Sequence, residues 1–483
     1  MSSTAKDISL PLLSSGPEAT PFWWGLALRL KHLLGVDRAI AYTVLARAVQ
    51  ILGSTGTVLL ILRFLTPVEQ GYYYTLLSLV SLQTVFELGF SFVVLQMAAH
   101  ECAHLTLHRD GRVEGDPVAH ARLASILQKT FRWYLVAAVV LCLSLLPLGA
   151  YFFARHARAA APGMLQGPWF VTVVATAFMF FLNPFYSFLE GCGQIWQVGR
   201  VRFRQALLGA GMGWAALAAH HGLYSPAMVI IAYVAVGAPF LCTWRKLLGR
   251  LLRQPVGGGA VSWRAEVWPF QWRIGVSWAC AYFTAQIFTP VLFAYRGPME
   301  AGQFGMSLSI TAYLSTLVLA WMCTKATPFG HMIARHELGR LEALFFHTLR
   351  QALSLLVLAA AVCQFAVAAL QYQFPRLALR IVAPQVFALL LLTGVSSFVV
   401  QSLAIYLRSF RREPFLVQSI VVAALTTLLS LVTVKRWGIA GVTASYLLCT
   451  GVIGLVLAAA AFRSWHNAQS LAFGRADDPV GIP

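Results

Sequence analysis

Two histidines and a glutamate in residues 100–104, which read HECAH, form a pattern associated with catalytic zinc. In H-E-x-x-H the histidines, here His100 and His104, share a helix face as ligands, and Glu101 would be the general base of a metalloprotease. A catalytic zinc also needs a third protein ligand. His108 continues the stripe, but one helix face cannot surround the ion tetrahedrally. We therefore interpret the motif as a helix end, and predict neither a metal site nor any cofactor.

The composition of the chain places this motif in a membrane protein. Only 11% of the 483 residues are charged and 59% are hydrophobic, whereas soluble domains are about one quarter charged. The net charge of +19 would suggest nucleic acid in a soluble protein. Cytoplasmic loops of membrane proteins, however, collect Lys and Arg, and the chain has no motif that reads nucleic acid. We predict a lipid environment and no nucleic-acid partner.

Apolar runs long enough to cross a bilayer recur along the whole chain. About 20 residues at 1.5 Å each span the hydrocarbon core, and backbone groups in lipid must bond internally, so the runs are predicted to be helices. With the N-terminus inside, inner segments hold 27 of the 36 Lys and Arg residues, which favours an N-in, C-in topology. The predicted spans are 39–63, 72–98, 130–154, 168–190, 199–219, 224–247, 269–294, 301–325, 345–370, 379–407, 415–434 and 438–462.

A repeat divides these helices into two sets. Residues 66–79 and 297–310 both contain P-x-E-x-G-x-[YF], each in the first outer turn of its half. Gly222 and Gly438 open matching turns before the last helix of each half. We predict an all-α membrane protein of about 12 transmembrane helices in two six-helix bundles related by an internal parallel repeat. The predicted segments are an inner N-terminal segment (1–38), the first bundle (39–247), a cytoplasmic linker (248–268), the second bundle (269–463) and a cytoplasmic tail (464–483).

The segment that carries the first repeated turn also carries a family likeness. Residues 61–101, with the turn and the triplet Glu87-Leu88-Gly89, resemble the N-terminal part of polysaccharide biosynthesis flippases. These belong to the multidrug/oligosaccharidyl-lipid/polysaccharide exporter superfamily, whose acid in that triplet is often Asp. The resemblance implies translocation of a polyprenyl-diphosphate-linked oligosaccharide across a bacterial cytoplasmic (inner) membrane, by alternating access through a hydrophilic central cavity. It also implies a part in exopolysaccharide or O-antigen biosynthesis, beside other polysaccharide assembly proteins.

Charged residues inside the apolar runs are rare, and charge at a helix centre costs about 2.5–3.5 kcal/mol on insertion scales. Arg47 and Glu87 lie at similar depths in the first two helices. Two interpretations remain open. They form a structural ion pair, or Arg47 faces the cavity and binds the diphosphate while Glu87 orients it, since the guanidinium fork suits phosphate.

Other basic residues lie at the ends of the helices. Arg273 and Lys325 are predicted at the cytoplasmic mouth, where they would guide an anionic headgroup or simply follow the positive-inside pattern. Arg63 and Arg296 end the first and seventh helices at near-equivalent outer positions, and are either substrate contacts or snorkelling side chains.

Three other classes of protein remain as alternatives to a flippase. A multidrug or cation antiporter of the same superfamily would want acids inside the membrane, and only Glu87 is well inside a helix. An intramembrane enzyme is less favoured, because a zinc protease using His100, Glu101 and His104 lacks a third ligand and a glycan polymerase would be expected to carry a large outer loop, whereas the outer loops here are short. A structural scaffold does not require two repeated bundles. We therefore predict that the protein is not an enzyme.

Overall fold

The computed structural model describes residues 38–107, 112–157, 163–255, 260–325, 337–374, 379–410 and 415–474, together with positions 328, 329, 332, 333 and 335. The predicted segment 1–38, apart from Arg38, and the end of the predicted tail (475–483) lie outside these residues. "Inner" and "outer" below refer to the sides assigned from loop charge.

The first half of the chain forms eight helices of the first lobe and one linker helix. The first-lobe helices are α1 (Arg38–Phe64), α2 (Pro67–Val80), α3 (Gln83–Glu87), α4 (Phe90–Cys102), α5 (Pro117–His156), α6 (Gln166–Gly191), α7 (Ile195–Ala218) and α8 (Ser225–Thr243). A 3₁₀ turn, Gly222–Tyr224, precedes α8, and the linker helix is α9 (Arg245–Arg253). In α9 Leu247, Leu248 and Leu251 are buried and the basic residues are exposed.

The second half forms the second lobe. Its helices are α10 (Trp268–Ala285), α11 (Phe288–Arg296), α12 (Pro298–Thr324), α13 (Leu338–Gln373), α14 (Pro384–Arg408), α15 (Leu416–Tyr446) and α16 (Gly454–Gly474). Two π-helical segments, Trp263–Val267 and Leu447–Ile453, precede α10 and α16.

Within the described residues, nine helices are long and apolar enough to cross a membrane, or ten when the bent pair Pro67–Glu87 and Phe90–Cys102 is one span. Two predicted spans are contained in one continuous helical segment, Leu416–His466. That segment is a hairpin, because Gln418 donates to the Gly454 carbonyl at 2.7 Å across a reversal at Gly438. The remaining predicted span is α7, whose low mean hydropathy reflects its three arginines. The twelve-helix, two-lobed fold is confirmed.

The second predicted span is broken rather than straight. Leu88 and Gly89 adopt left-handed φ angles of 50° and 64°, which end α3 and start α4 in a new direction. A Cβ atom at Gly89 would collide with Ile274 of the second lobe, so glycine is required there by both conformation and space. The seventh predicted span is likewise interrupted, between α10 and α11.

The predicted polar loop after HECAH contains a short antiparallel hairpin. Strand β1 (Leu105–Leu107) pairs with β2 (Val113–Gly115), with Leu105 opposite Gly115. Asp116 then caps α5, accepting from the backbone N–H groups of Val118 and Ala119. The Asp116 carboxylate thus satisfies two of the N–H groups that the start of α5 leaves without helical partners.

The two repeated outer turns differ in how they use their glutamates. Thr66 and Glu69 form a reciprocal capping box at the start of α2. In the second copy Gly297 replaces the threonine, and Glu300 instead pairs with Arg296 at 3.1 Å. The second pair of matching glycines has equivalent neighbours in the two halves. Gly222 packs on Leu65 and Gly438 packs on Arg296, which lie at the equivalent ends of the first and seventh spans.

The hydrophobic cores show where the lobes join. One core runs through the first lobe and continues into the outer half of the second, including Phe293, Phe304 and Phe387. A separate core, which includes Phe345 and Tyr406, fills the inner half of the second lobe. The lobes therefore share a core at their outer ends, whereas the inner half of the second lobe packs on its own.

Candidate functional site between the two lobes

The glycines of the repeated turns are the point where the outer ends of the lobes touch. A Cβ atom on Gly71 would collide with the Pro298 carbonyl, and one on Gly302 would lie 2.8 Å from the Gly71 nitrogen. Helices α2 and α12 therefore cross at these two residues. The repeated motif thus supplies the small side chains that let the two lobes approach closely.

A buried polar clamp locks this crossing. The Gln70 side chain is 1% exposed and donates to the carbonyls of Gly302 and Arg380, both at 2.9 Å. The Arg380 guanidinium donates back to Gln70 Oε1 at 3.3 Å and to the Leu65 carbonyl. Burial lowers the pKa of Arg380 from its ordinary value, an effect that the nearby Glu69 carboxylate opposes. The clamp closes the outer end by bonds that cross from one lobe to the other.

Sequence reasoning missed both members of this clamp. Gln70 lies inside the repeated motif, directly before its glycine, while the second copy has Ala301 there. The signal available in the sequence was that a polar residue precedes the contact glycine in only one of the two copies of the motif. Arg380 looked like an ordinary outer arginine, because its partners are far away in sequence.

One side of the interface between the lobes is a continuous seam. The Ser78 hydroxyl donates to the Gln286 carbonyl beside the break between α10 and α11. Further towards the inner side, Gly89 packs on Ile274 and Trp278, and a Cβ atom on Gly275 would lie 3.1 Å from Leu88. Both broken spans therefore meet along this seam.

The HECAH glutamate belongs to the inner end of the same region. Glu101 is 6% exposed and accepts from Arg122 Nε at 2.8 Å, while Arg122 Nη2 reaches Glu266 at 2.6 Å. The guanidinium therefore ties α4 and α5 to the segment that leads into α10. The hydrogen bond from Arg122 is the main cause of a lowered pKa of Glu266. A second hydrogen bond, donated by the Ser262 backbone N–H, lowers this pKa further.

The histidines of the motif do not join this network as metal ligands. The His100 side chain is 82% exposed, and its Nδ1 lies 3.8 Å from Glu101. Among the residues that the structure describes, no three His, Cys, Asp or Glu side chains form a group able to hold a metal ion; His108 is outside them. The buried Glu101 is an ion-pair partner of Arg122.

The other side of the interface contains Arg47. It lies about two and a half turns into α1, is exposed, and is within electrostatic range of Cys323 on α12. Most side chains around it on the inner half of α1 are exposed or only half-buried, as are those of the inner half of α12. Arg47 is therefore exposed and close to α12 of the second lobe, on the side where the two lobes pack loosely.

The structure does not pair Arg47 with Glu87. The Glu87 carboxyl lies beside the Ser91 hydroxyl, and Ser91 is 3.0 Å from the Tyr134 hydroxyl of α5. The left-handed turn at Leu88 and Gly89 accounts for this placement, because it redirects the chain directly after Glu87. The structural ion pair considered from the sequence is absent between these two described residues.

The other basic candidates are spread over both ends of the molecule. Arg273 is exposed on α10, with its guanidinium 5.6 Å from the ring centre of Trp272, and the half-buried Lys325 ends α12. At the outer side, Arg63 lies over Phe64 at 5.8 Å and Arg296 pairs with Glu300. Arg273 and Lys325 are thus at the inner mouth, whereas the two outer arginines have local partners.

Acidic residues are rare on four helices of the interface, α1, α10, α11 and α12. Among α1, α10, α11 and α12, the only acid is Glu300, at the outer start of α12. The same helices carry Arg47 and Arg273 towards the inner side. The interface is therefore electropositive on the side where the lobes are least packed.

Comparison with known proteins identifies the fold. No family model and no curated protein matches the sequence. Among solved structures, the lipid II flippase MurJ in an inward closed conformation aligns with a TM-score of 0.56 at 11% identity, over 92% of this chain and 94% of that one. The chain has the fold of the MOP-superfamily transporters.

Two multidrug transporters of this fold align comparably well. The MATE multidrug transporter DinF-BH gives a TM-score of 0.54 at 14% identity, over 88% of this chain and 94% of that one. An outward-facing MATE family transporter of the MOP superfamily gives 0.52 at 15% identity, over 92% and 98%. The likeness covers both lobes and extends equally to flippase and multidrug structures.

Proposed function

We propose that this protein is a flippase that moves an anionic lipid-linked oligosaccharide, carried on a polyprenyl diphosphate, across the cytoplasmic membrane of a bacterium. The observation that carries the proposal is the position of Arg47 on the loosely packed side of the interface, where the four helices α1, α10, α11 and α12 hold one acid, Glu300, at the far outer end. An arginine in this setting suits a diphosphate, because its planar fork donates paired hydrogen bonds to phosphate oxygens. The product would serve exopolysaccharide or O-antigen assembly.

The geometry supports loading from the inner leaflet. The outer ends are held together by the Gly71–Gly302 crossing and the Gln70–Arg380 clamp. The inner half of α12 is largely uncovered. In the proposed mechanism Arg273 and the inner-end Lys325 attract the anionic headgroup, which then reaches Arg47 while the lipid chain stays in the bilayer.

Release to the outer leaflet then requires the lobes to rock. The clamp bonds break, the two glycines separate, and the inner ends of α1 and α12 approach each other. The broken spans along the Ser78–Gln286 seam supply the bending points, because their helices are already interrupted there. This is alternating access between two repeated lobes.

A multidrug antiporter is the second candidate, and Glu87 favours it. A half-buried carboxyl beside Ser91 and Tyr134 is the kind of group that binds a cation or a proton inside a membrane. Glu87, however, lies beside Ser91 and Tyr134 of its own lobe, whereas Arg47 faces the interface. We therefore favour the anionic substrate.

Reconstitution into proteoliposomes tests the proposal. We would follow leaflet exchange of a fluorescent polyprenyl-diphosphate oligosaccharide with wild type, Arg47→Ala and the matched control Arg132→Ala, an exposed arginine on α5. We expect exchange in wild type and control, and a loss of at least tenfold in Arg47→Ala, since a charge-assisted bidentate contact is worth about 1.5–3 kcal/mol. Exchange of cationic dyes with no movement of lipid-linked glycans would overturn the flippase proposal in favour of the antiporter.

A further inference from the structure

The second lobe contains a cavity of its own, lined in part by polar side chains, and Arg47 is not among its lining residues. It has a volume of about 420 Å³ and lies between α10, α14 and α15 and the π-helical segment Leu447–Ile453. Its walls extend from Arg408 and Phe415, at the inner ends of α14 and α15, to Thr284 and Tyr446 deeper in the lobe. This volume is within the ordinary range of small-molecule sites, about 300–1,000 Å³.

The lining is rich in neutral hydrogen-bonding groups. Amide and hydroxyl side chains come from all four walls: Ser277, Thr284, Ser397, Gln401, Gln418, Ser419 and Thr450. Among the described residues of the lining, Arg408 is the one charged side chain and none is Asp or Glu. The neutral groups of this wall suit a ligand with hydroxyls.

Three lining residues, Ser397, Gln418 and Thr450, have a buried hydrogen-bonding atom without a protein partner among the described residues. Gln418 Nε2 donates to the Gly454 carbonyl at 2.7 Å, whereas the buried Gln418 Oε1 has no protein partner among the described residues. The same is true of the buried Thr450 hydroxyl. An amide oxygen requires a donor, which inorganic anions such as chloride lack, whereas a sugar hydroxyl both donates and accepts.

The backbone beside these groups is unusual as well. Thr450 lies within the seven-residue π-helical segment Leu447–Ile453, and π-helical turns are rare and concentrate at functional sites. The segment interrupts the helix that forms the second arm of the hairpin at Gly438. A wall with this irregular backbone, a fixed amide and a free hydroxyl is not explained by packing alone.

We infer that this cavity binds the sugar portion of the lipid-linked substrate, with sugar hydroxyl groups on Gln418 and Thr450. The inference rests on the proposed function, and it assigns diphosphate and glycan to different lobes. Arg47 of the first lobe binds the diphosphate, and the cavity of the second lobe binds the glycan. Movement of the lobes would then act on both ends of the headgroup.

The test compares two soluble probes on the purified full-length chain by titration calorimetry. One probe is farnesyl diphosphate, and the other is a panel of farnesyl-diphosphate-linked mono- and disaccharides. We expect at least one glycosylated probe to bind wild type more tightly than farnesyl diphosphate. Gln418→Leu and Thr450→Val should each reduce that gain by about two- to tenfold, the worth of one neutral hydrogen bond, and leave farnesyl diphosphate binding unchanged.

The matched control is Thr427→Val, because Thr427, on α15, is also a threonine with a buried, unpartnered hydroxyl and does not line the cavity. It should keep the full sugar gain. Equal binding of glycosylated and plain probes by wild type would overturn the inference, as would a gain that survives both cavity substitutions. Failure of farnesyl diphosphate to bind wild type, or its indifference to Arg47→Ala, would instead count against the proposed function.

Discussion

Replacing Gly71 with alanine tests whether the crossing of the repeated turns holds the outer ends together. The added Cβ atom would collide with the Pro298 carbonyl, a backbone atom that cannot rotate away, so α2 and α12 must separate. Overpacking of this kind costs about 1–3 kcal/mol. Alanine is more favourable than glycine in a helix by about 1 kcal/mol. The substitution should therefore not unfold α2, and the cost comes from the contact between α2 and α12.

The expected result is a shift of the lobe equilibrium away from the outer-closed state by roughly 5- to 150-fold, the equivalent of that free energy. Spin labels at Val68 and Met299, at the starts of the two helices, would report it as longer distances in pulsed electron resonance. Gly211→Ala is the matched control, since it is a helical glycine of α7 with nothing within 4 Å of the added atom. Identical distance distributions in wild type, Gly71→Ala and Gly211→Ala would refute the reasoning.

Three further predictions concern stability. Glu101→Gln should lower the free energy of unfolding by about 1–3 kcal/mol, because Arg122 loses a charged partner; thermal unfolding in detergent measures this, and an unchanged Tm would contradict the ion-pair role. The pKa of Glu266 lies below its ordinary value of 4.5, so its contribution is complete above pH 4.5 and is lost as the pH falls through the lowered value. Glu266→Gln should remove that part of the acid-side slope in a pH series of unfolding curves, and an identical slope would exclude it. Gly438→Ala should cost about 1–3 kcal/mol, since φ is 54° and the added Cβ would lie 2.9 Å from Arg296 Nε; a Tm equal to wild type would mean that the hairpin relaxes.

The HECAH motif illustrates how membrane context changes the meaning of a short pattern. The motif satisfies the helical spacing of two ligands, and its glutamate is buried, as a catalytic base could be. Burial here comes instead from the ion pair with Arg122, which joins the inner ends of α4 and α5. The HECAH residues therefore form a helix end in which Glu101 has a structural role.

The sequence by itself determined the spans, the repeat and the two-lobed fold. Apolar run length and the distribution of Lys and Arg are properties of local sequence, and lipid leaves a backbone few options besides the helix. Even the hairpin at Gly438 followed from a glycine between two apolar runs. The break after Glu87 did not, because Leu88-Gly89 tolerates a straight helix as well as a left-handed turn.

Only the tertiary structure decided which residues of the two lobes meet. The repeat placed Gly71 and Gly302 in equivalent turns, but their contact depends on how the lobes pack, as does the Gln70–Arg380 clamp, whose members are 310 positions apart. The same packing separated Glu87 from Arg47 and built the cavity around Gln418 from four distant segments. Contacts of this kind arise from the fit of whole helix surfaces, and no local pattern of residues encodes them.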